Sequence, residues 1–473
     1  MNFTEFYSSA AAGSLRIFIE EMQDIPFETL LSSASALEEE YFYWHKPEAA
    51  MRFIGLQRFI EVTADGKTRS DLCDEQVQQL LQNIVCNLQD SAVPRDLPIL
   101  MGAMSFAYGQ KDEVWEDFHD ADWFIPRIMY LEMRGRFLCV SFFTDEPAEE
   151  AEDEPAEEAE KLYLQSKERL QRAGTFSPPG SLPRIEPDIQ GEFSDWAEKV
   201  DTILEDIHSG SLSKVVLSRM IRYRLSHSAD PSRLMSQLAL RYPGCYIFAY
   251  KKGSSLFFGA SPEKLAALHD GLIEADALAG SMPRGSDENE DERLGKALLS
   301  SKKNLAEQKA VVHFILDSFA EFTCTLQAPR YPVLRKLPNI QHLWTPVQGE
   351  LCPGFSVLKI LGRIHPTPAI CGVPWKRARK RILQIEDYSR GLYSGLLGWF
   401  GVGYEGEFAV AIRSALMKQR SLYVFAGCGI VEGSDPLSEY QESELKLKPM
   451  TRLFTDPEER PEVSSAKDRK SSL

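Results

Sequence analysis

SKVVLSRMIRYRL (213–225), GCYIFAYKKGSSLFFGASP (244–262) and KLAALHDGLIEADALAGS (264–281) are runs of β-branched, aromatic and small residues punctuated by Gly-rich turns. Such runs predict strands joined by turns. The signature returns near the end of the chain in RGLYSGLLGWFG (390–401), EFAVAIRSALM (407–417) and SLYVFAGCGIV (421–431). Between the two groups, Leu298, Leu305, Val312 and Phe319 recur every seven residues. That seam predicts one long helix near 291–322. A closing helix is expected from Pro436 to Leu453, with Ser434 and Asp435 placed to cap it. Strands, then helix, then strands argue for an α+β fold with a largely antiparallel sheet rather than repeated βαβ units.

Upstream, residues 1–144 carry the apolar runs FYWHKP (42–47), PILMGAMSFAYG (98–109) and WFIPRIMYLEMRGRFLCVSFF (123–143). The last predicts a hairpin turning at Arg134-Gly135. Segments 160–172 and 193–209 read as helices. The chain thus divides into an N-terminal part of the fold (1–144), an acidic repeat linker (145–160), a main region (161–455) and a polar tail (456–473).

The charge is unevenly spread. The 473 residues carry 53 Lys+Arg and 70 Asp+Glu, for a formal net charge of −17. Residues 145–160 read DEPAEEAE twice and hold ten of those carboxylates; without them the charge is −7. Like charges and prolines make this segment a solvated linker. The acidic balance argues against nucleic acid, which needs a basic surface. Eight cysteines without a CxxC pair predict neither a disulfide framework nor a zinc site, but reduced thiols. The first residues lack a basic leader and no apolar run reaches membrane-spanning length, so a soluble cytoplasmic protein is expected.

Several residues could carry chemistry. In KVVLSR (214–219), Lys214, Val216 and Ser218 share one strand face and Val215, Leu217 and Arg219 the other. Lys214 reads blandly as an edge lysine reaching for water. In an enclosed pocket it could instead act as a base. Glu263, after Pro262, reads as a helix-leading surface acid or as a buried general acid. Gly280 and Ser281 form a tight turn or let a ligand approach the backbone. Glu307 lies away from the apolar seam and, by itself, reads as solvated. Glu439, Glu442 and Lys446 fall on one helical face, either a salt-bridge ladder or an oxygen-ligand set for Mg²⁺. Arg413 lies among alanines, with room for an anion. Gly427 and Gly429 share a strand face that no side chain covers, and His365 stands in a Pro-punctuated turn.

The order of these blocks is more specific than any one of them. GSLSKVVLSR (210–219), FGASPEKL (258–265), ALAGSMPRG (277–285), LLSSKKNLAEQKAVV (298–312), IQHLWTPVQGEL (340–351), IHPTPAICGVP (364–374), RGLYSGLLGWFG (390–401), GEFAVAIRSALM (406–417) and AGCGIVEGSDPLSEYQESELK (426–446) resemble the chorismate-utilising enzymes, most closely the isochorismate synthases. The resemblance is strong over about 190–450 and weaker before that. It implies one large two-lobed α+β unit, with mainly antiparallel sheets around a central cleft. It implies Mg²⁺ on Glu307 and Glu442 with Glu439 close by, holding the ring carboxylate of chorismate. Tyr393, Arg413 and the amides around Gly427 and Gly429 would hold the enolpyruvyl carboxylate, with Lys446 nearby. Lys214 would activate water for attack at C2, Glu263 would protonate the departing C4 hydroxyl, and His365 would line the pocket near the ring.

Lys214 and Ala279 stand where ammonia-using relatives carry Gln and, in some, a nucleophilic Lys. Water is therefore the expected nucleophile, with no glutamine amidotransferase subunit, and a monomer is expected. Salicylate synthases share the lysine and remain the alternative, followed by a non-catalytic homologue whose acidic repeat recruits a basic partner. Gln308, Ser281, Met282, Tyr440, Cys371 and Cys428 depart from the common pattern without removing an implied catalytic group.

Overall fold

The computed structural model describes residues 3, 6, 14–88, 94–109, 112–144, 160–165, 167–168, 182–189, 193–337 and 340–455. Nearly all of the acidic repeat (145–159), most of the 160–172 helix expectation's second half and the tail (456–473) lie outside the described residues.

The N-terminal part supplies β1 (Leu15–Glu21), α1 (Phe27–Ala36), β2 (Tyr41–Lys46), β3 (Met51–Ala64), α2 (Arg69–Leu81), β4 (Ile84–Cys86), β5 (Leu100–Met104), β6 (Ala121–Met133) and β7 (Arg136–Phe143). Next come β8 (Ile185–Ile189), α3 (Phe193–His208), β9 (Lys214–Leu225), α4 (Pro231–Arg241), β10 (Tyr246–Lys252), β11 (Ser255–Ser261), β12 (Lys264–His269) and β13 (Leu272–Pro283). They are followed by α5 (Glu288–Ser300), α6 (Lys302–Phe319), β14 (Thr323–Gln327), β15 (Val333–Lys336), β16 (Ile340–Leu351), α7 (Val357–Ile364), β17 (Gly372–Val373) and α8 (Trp375–Ile385). β18 (Leu396–Phe400), β19 (Gly406–Val410), β20 (Ser414–Lys418), β21 (Ser421–Val431) and α9 (Pro436–Thr455) complete the chain.

Among the described strands every pairing is antiparallel except β1 with β4. One layer runs β4-β1-β7-β6-β3-β2-β10-β11-β20-β21-β9. The other runs β5-β18-β19-β12-β13-β16. They join at β6, whose residues 128–133 pair with β7 while residues 121–124 pair with β5. Strand alternation builds the core on both faces of the first layer. Phe42 and Trp44 point between the layers, with Trp123, Phe248 and Trp399, whereas Tyr41 and Tyr43 point outward beneath α1 and α4. Val215, Leu217, Cys428 and Ile430 pack outward against Trp196, Val200 and Ile203 of α3. Their neighbours in sequence are thereby turned the other way, toward the gap between the layers. The hairpin at Arg134-Gly135 is present, both residues with positive φ. No helix among the described residues is long and apolar enough to cross a membrane.

Three expectations are corrected. The helix near 291–322 is two helices, because Ser301 adopts an extended conformation (φ −70°, ψ 112°) and its hydroxyl accepts from the Asn304 amide to start α6. The heptad seam does not carry across that break; α6 buries Gln308, Val311, Ile315 and Phe319, while Leu305 and Val312 are half-buried. EFAVAIRSALM is not one strand but turns a corner at Ala411–Arg413, where Arg413 takes φ 50°. Lastly, the cysteines are not all reduced. Cys324 and Cys352 form a disulfide that ties β14 to the end of β16, leaving six buried free thiols. Titration of the denatured, unreduced chain should return six thiols, rising to eight after reduction; eight before reduction would contradict the bond.

Candidate active site

The two layers part near β9, β13 and β21, and a cavity fills the gap. Val216, Glu263, Gly280, Glu307, Tyr393, Arg413 and Gly427 line it, with Glu439, Glu442 and Lys446 of α9 closing one side. Lys214 is the first residue of β9 and is 4% exposed, so the edge-lysine reading fails. Its ammonium donates to Glu307 Oε1 at 2.7 Å, joining β9 to α6. The room for its stem comes from Gly429. A Cβ at that position would stand 2.7 Å from Lys214 Cε and 3.3 Å from Glu307 Oε1.

β9 is held from behind. Gly372 of β17 pairs with Val215 at φ 138°, and a Cβ there would lie 2.2 Å from the Lys214 carbonyl. Arg390 and Glu386 form a fully buried ion pair. Arg390 also donates to the carbonyls of Val216 and Ile370, both of which line the cavity. Glu386 accepts from the Ser218 amide at 2.8 Å. Together these bonds fix the position from which Lys214 projects.

The opposite wall comes from β13 and α6. The β13–β16 register shifts at Gly280, whose φ of 75° and close Asn304 side chain exclude a Cβ. Beyond the bulge, Ser281 Oγ lies 3.0 Å from His342 Nδ1. On α9, Asp435 accepts from the Ser438 amide, while Ser434 donates to Glu439 at 2.7 Å. Lys446 pairs with Glu442 at 2.6 Å and donates to the Gly427 carbonyl at 3.0 Å. Lys303 pairs with Glu439 at 3.3 Å. Tyr393 stacks on Phe425 at 5.0 Å between centroids, with its hydroxyl 3.1 Å from where a Gly427 Cβ would be.

Electrostatics give the cavity a sign. Lys214, Lys446 and Lys303 each neutralise one carboxylate, Glu307, Glu442 and Glu439 respectively. Burial works to raise the pKa of Glu442, but Lys446, Lys303 and Arg413 together hold it below the ordinary value. Burial, and secondly the nearby Asp276, push Glu263 up to about 8 against the pull of Lys214, Arg413 and Arg335. Glu263 is therefore a protonated donor at neutral pH. Arg413 remains. Burial pulls its pKa down, yet a guanidinium stays charged. Its Nη2 is buried without a partner among the described residues, as is Nε2 of His342. Native structures rarely leave such groups unsatisfied. A cation with a free donor in a cavity of otherwise cancelled charges is a place for an anion.

His365 is corrected: it does not line the cavity. Its imidazole lies behind the wall, with Nε2 2.9 Å from the carbonyl of Ser394, and burial pushes its pKa down to about 3. Sequence reading missed His342, Lys303 and Asn304. Lys303 stands four residues before Glu307 on α6, so helical spacing could have found it. His342, between Gln341 and Leu343 on a buried strand, carried no such signal.

The chain matches the model of the family described as "Chorismate binding enzyme" over residues 4–455. The chain belongs to the chorismate-binding enzyme family. Within this family it is 33% identical over 426 residues to isochorismate synthase MenF of Bacillus subtilis, covering 86% of each chain. It is 34% identical over 415 residues to the salicylate biosynthesis isochorismate synthase of Pseudomonas aeruginosa, covering 87% of this chain and 84% of that one. Its fold matches that of MenF, the menaquinone-specific isochorismate synthase from Escherichia coli, with a TM-score of 0.77 at 24% identity, over 94% of this chain and 96% of that one.

A family member built this way should be sensitive at Gly429. Gly429→Ala should cut turnover about a hundredfold, because displacing a reacting group by an ångström costs on that order. Its melting temperature should stay close to wild type, since the flexible end of Lys214 moves rather than the backbone; unchanged turnover would contradict this placement of Lys214.

Proposed function

We propose that the protein is an isochorismate synthase that converts chorismate to isochorismate with Mg²⁺. The observation that carries this reading is the pairing of an unsatisfied buried Arg413 with a protonated Glu263 in one cavity. That is what a dianionic substrate with a departing hydroxyl requires. The two isochorismate synthases at 33% and 34% identity named above support it.

In the reaction, Arg413, with Tyr393 and the backbone around Gly427 and Gly429, anchors the enolpyruvyl carboxylate. Lys214, as the neutral amine left once its ammonium has released a proton to solvent, takes a proton from water, whose oxygen bonds to C2. The ring double bonds shift as the C4–O bond breaks, and Glu263 gives its proton to the leaving hydroxyl. The donor set for Mg²⁺ is Glu307 and Glu442, with Glu439 beside them. Its chemistry fits, since all three are carboxylates facing one cavity from α6 and α9. Among the described residues no three such groups are gathered tightly enough to hold a cation as they stand, each being drawn to its own lysine. Bound Mg²⁺ would neutralise the ring carboxylate. Water as nucleophile implies that no amidotransferase subunit takes part, and the protein acts as a cytoplasmic monomer. Menaquinone biosynthesis is the proposed destination of the product.

Incubation with chorismate and Mg²⁺ should yield isochorismate, without salicylate or pyruvate. Chelation should abolish turnover and Mg²⁺ should restore it. Lys214→Ala and Glu263→Gln should each lose about a hundredfold or more in kcat, the usual scale of a general base or acid. Untouched chorismate would sink the assignment, and salicylate with pyruvate would transfer it to a salicylate synthase. Because the acid must hold its proton, kcat/KM should fall as pH rises through about 8; a rate still climbing well above that pH would contradict the role of Glu263.

A further inference from the structure

The three ammonium–carboxylate pairs on the proposed metal donors are not alike. The Lys214 side chain is 5% exposed and lies 2.7 Å from Glu307. Lys446 is 14% exposed, lies 2.6 Å from Glu442 and is tied as well to the Gly427 carbonyl. Lys303 is 46% exposed and stands 3.3 Å from Glu439, whose own side chain is only 6% exposed. Among the described residues its ammonium makes one further contact, to Ser434 Oγ at 3.5 Å, and none to the main chain. Glu439 also accepts from the Ser434 hydroxyl at 2.7 Å. A buried carboxylate needs a counter-charge. Here that charge is the loosest and most water-exposed of the three. Position adds to the contrast. Lys303 and Glu307 are one turn apart on α6, and Glu439 and Glu442 are about one turn apart on α9, so each pair shares a helical face. All four residues line the cavity, and the contact of Lys303 with Glu439 bridges the two faces. Lys303 thus puts a positive charge among the three carboxylates that a divalent ion would share. Burial, which works to raise the pKa of Glu442, is countered first by Lys446 and then by Lys303.

We propose that Lys303 is a placeholder for the metal: it holds Glu439 in the metal-free enzyme, yields that carboxylate to Mg²⁺, and so sets the affinity for the ion. This rests on the reading of Glu307, Glu442 and Glu439 as the donor set. An ammonium beside a divalent ion is repelled, and of the three lysines Lys303 is the one that can retreat into water on its long stem. Lys214 and Lys446 are enclosed, so leaving their carboxylates would strand a buried charge. The exchange leaves the rest of the site in place. Ser434 keeps its bond to Glu439, and Asp435 keeps the first turn of α9 capped through the Ser438 amide.

The test is calorimetric titration of Mg²⁺ alone into the chelator-treated full chain, without chorismate, for wild type, Lys303→Met, Lys303→Gln, Lys303→Arg and Glu442→Gln. The two neutral variants should bind Mg²⁺ about tenfold more tightly than wild type, the scale of removing one ammonium several ångströms from a divalent ion in a water-like dielectric. Lys303→Arg keeps the charge and should bind as wild type does. A lysine that merely braced α6 against α9 would give the opposite sign, because without it the donors drift apart and the ion binds more weakly. Equal or weaker binding in the neutral variants therefore overturns the proposal. If one of them does not fold, the other is read by the same criterion. Glu442→Gln should lose most of the Mg²⁺ binding. Wild-type binding in Glu442→Gln, or saturable binding in no variant, would remove the donor set itself. Loss of binding in Glu442→Gln without a gain in the neutral variants would remove this inference alone.

Discussion

The contact between Lys214 and Glu307 is the constraint around which the site is arranged. It joins β9 to the cavity-lining Glu307 of α6 at 2.7 Å, and its neighbours make room for it or hold its ends. Gly429 leaves space for the lysine stem, Gly372 lets β17 close against the Lys214 carbonyl, and Arg390 grips the next carbonyl but one. A buried ammonium without its carboxylate would be costly, and so would the reverse. Strand, helix and supporting loops are therefore fixed relative to one another by a polar demand as much as by the core.

Charge follows the same logic. The chain is strongly acidic, yet much of that acidity belongs to a segment, 145–160, that lies almost entirely outside the described residues. Inside the cavity three ammonium–carboxylate pairs cancel, Glu263 holds a proton, and Arg413 is left uncompensated. Bulk charge would repel a dianion, but the field at the site has the opposite sign. A low-dielectric enclosure gives that single guanidinium more weight than many surface acids screened by water.

Much of this was legible in the sequence. Alternation in KVVLSR placed Val216 on the cavity face, with Lys214 on the same side reaching the cavity-lining Glu307, and Val215 and Leu217 in the core beneath α3. Helical spacing put Glu439, Glu442 and Lys446 on one side of α9, and all three line the cavity. What periodicity could not show was where backbones break or which residues meet across the fold. The heptad through Leu298 and Leu305 concealed the start of α6 at Ser301, and alternation through EFAVAIRSALM concealed the corner that aims Arg413. The family resemblance gave His365 a place in the pocket, although its ring is spent on the Ser394 carbonyl. His342 and the Cys324–Cys352 bond depend on long-range contacts that no local pattern encodes.

The central claim is that this cavity activates water, through Lys214, for addition at C2. Turnover of chorismate with Mg²⁺ in water enriched in heavy oxygen tests it most directly, with the product analysed by mass spectrometry and NMR. The account predicts isochorismate carrying the label at the C2 hydroxyl. Unlabelled isochorismate, formed by migration of the substrate's own hydroxyl, would contradict it.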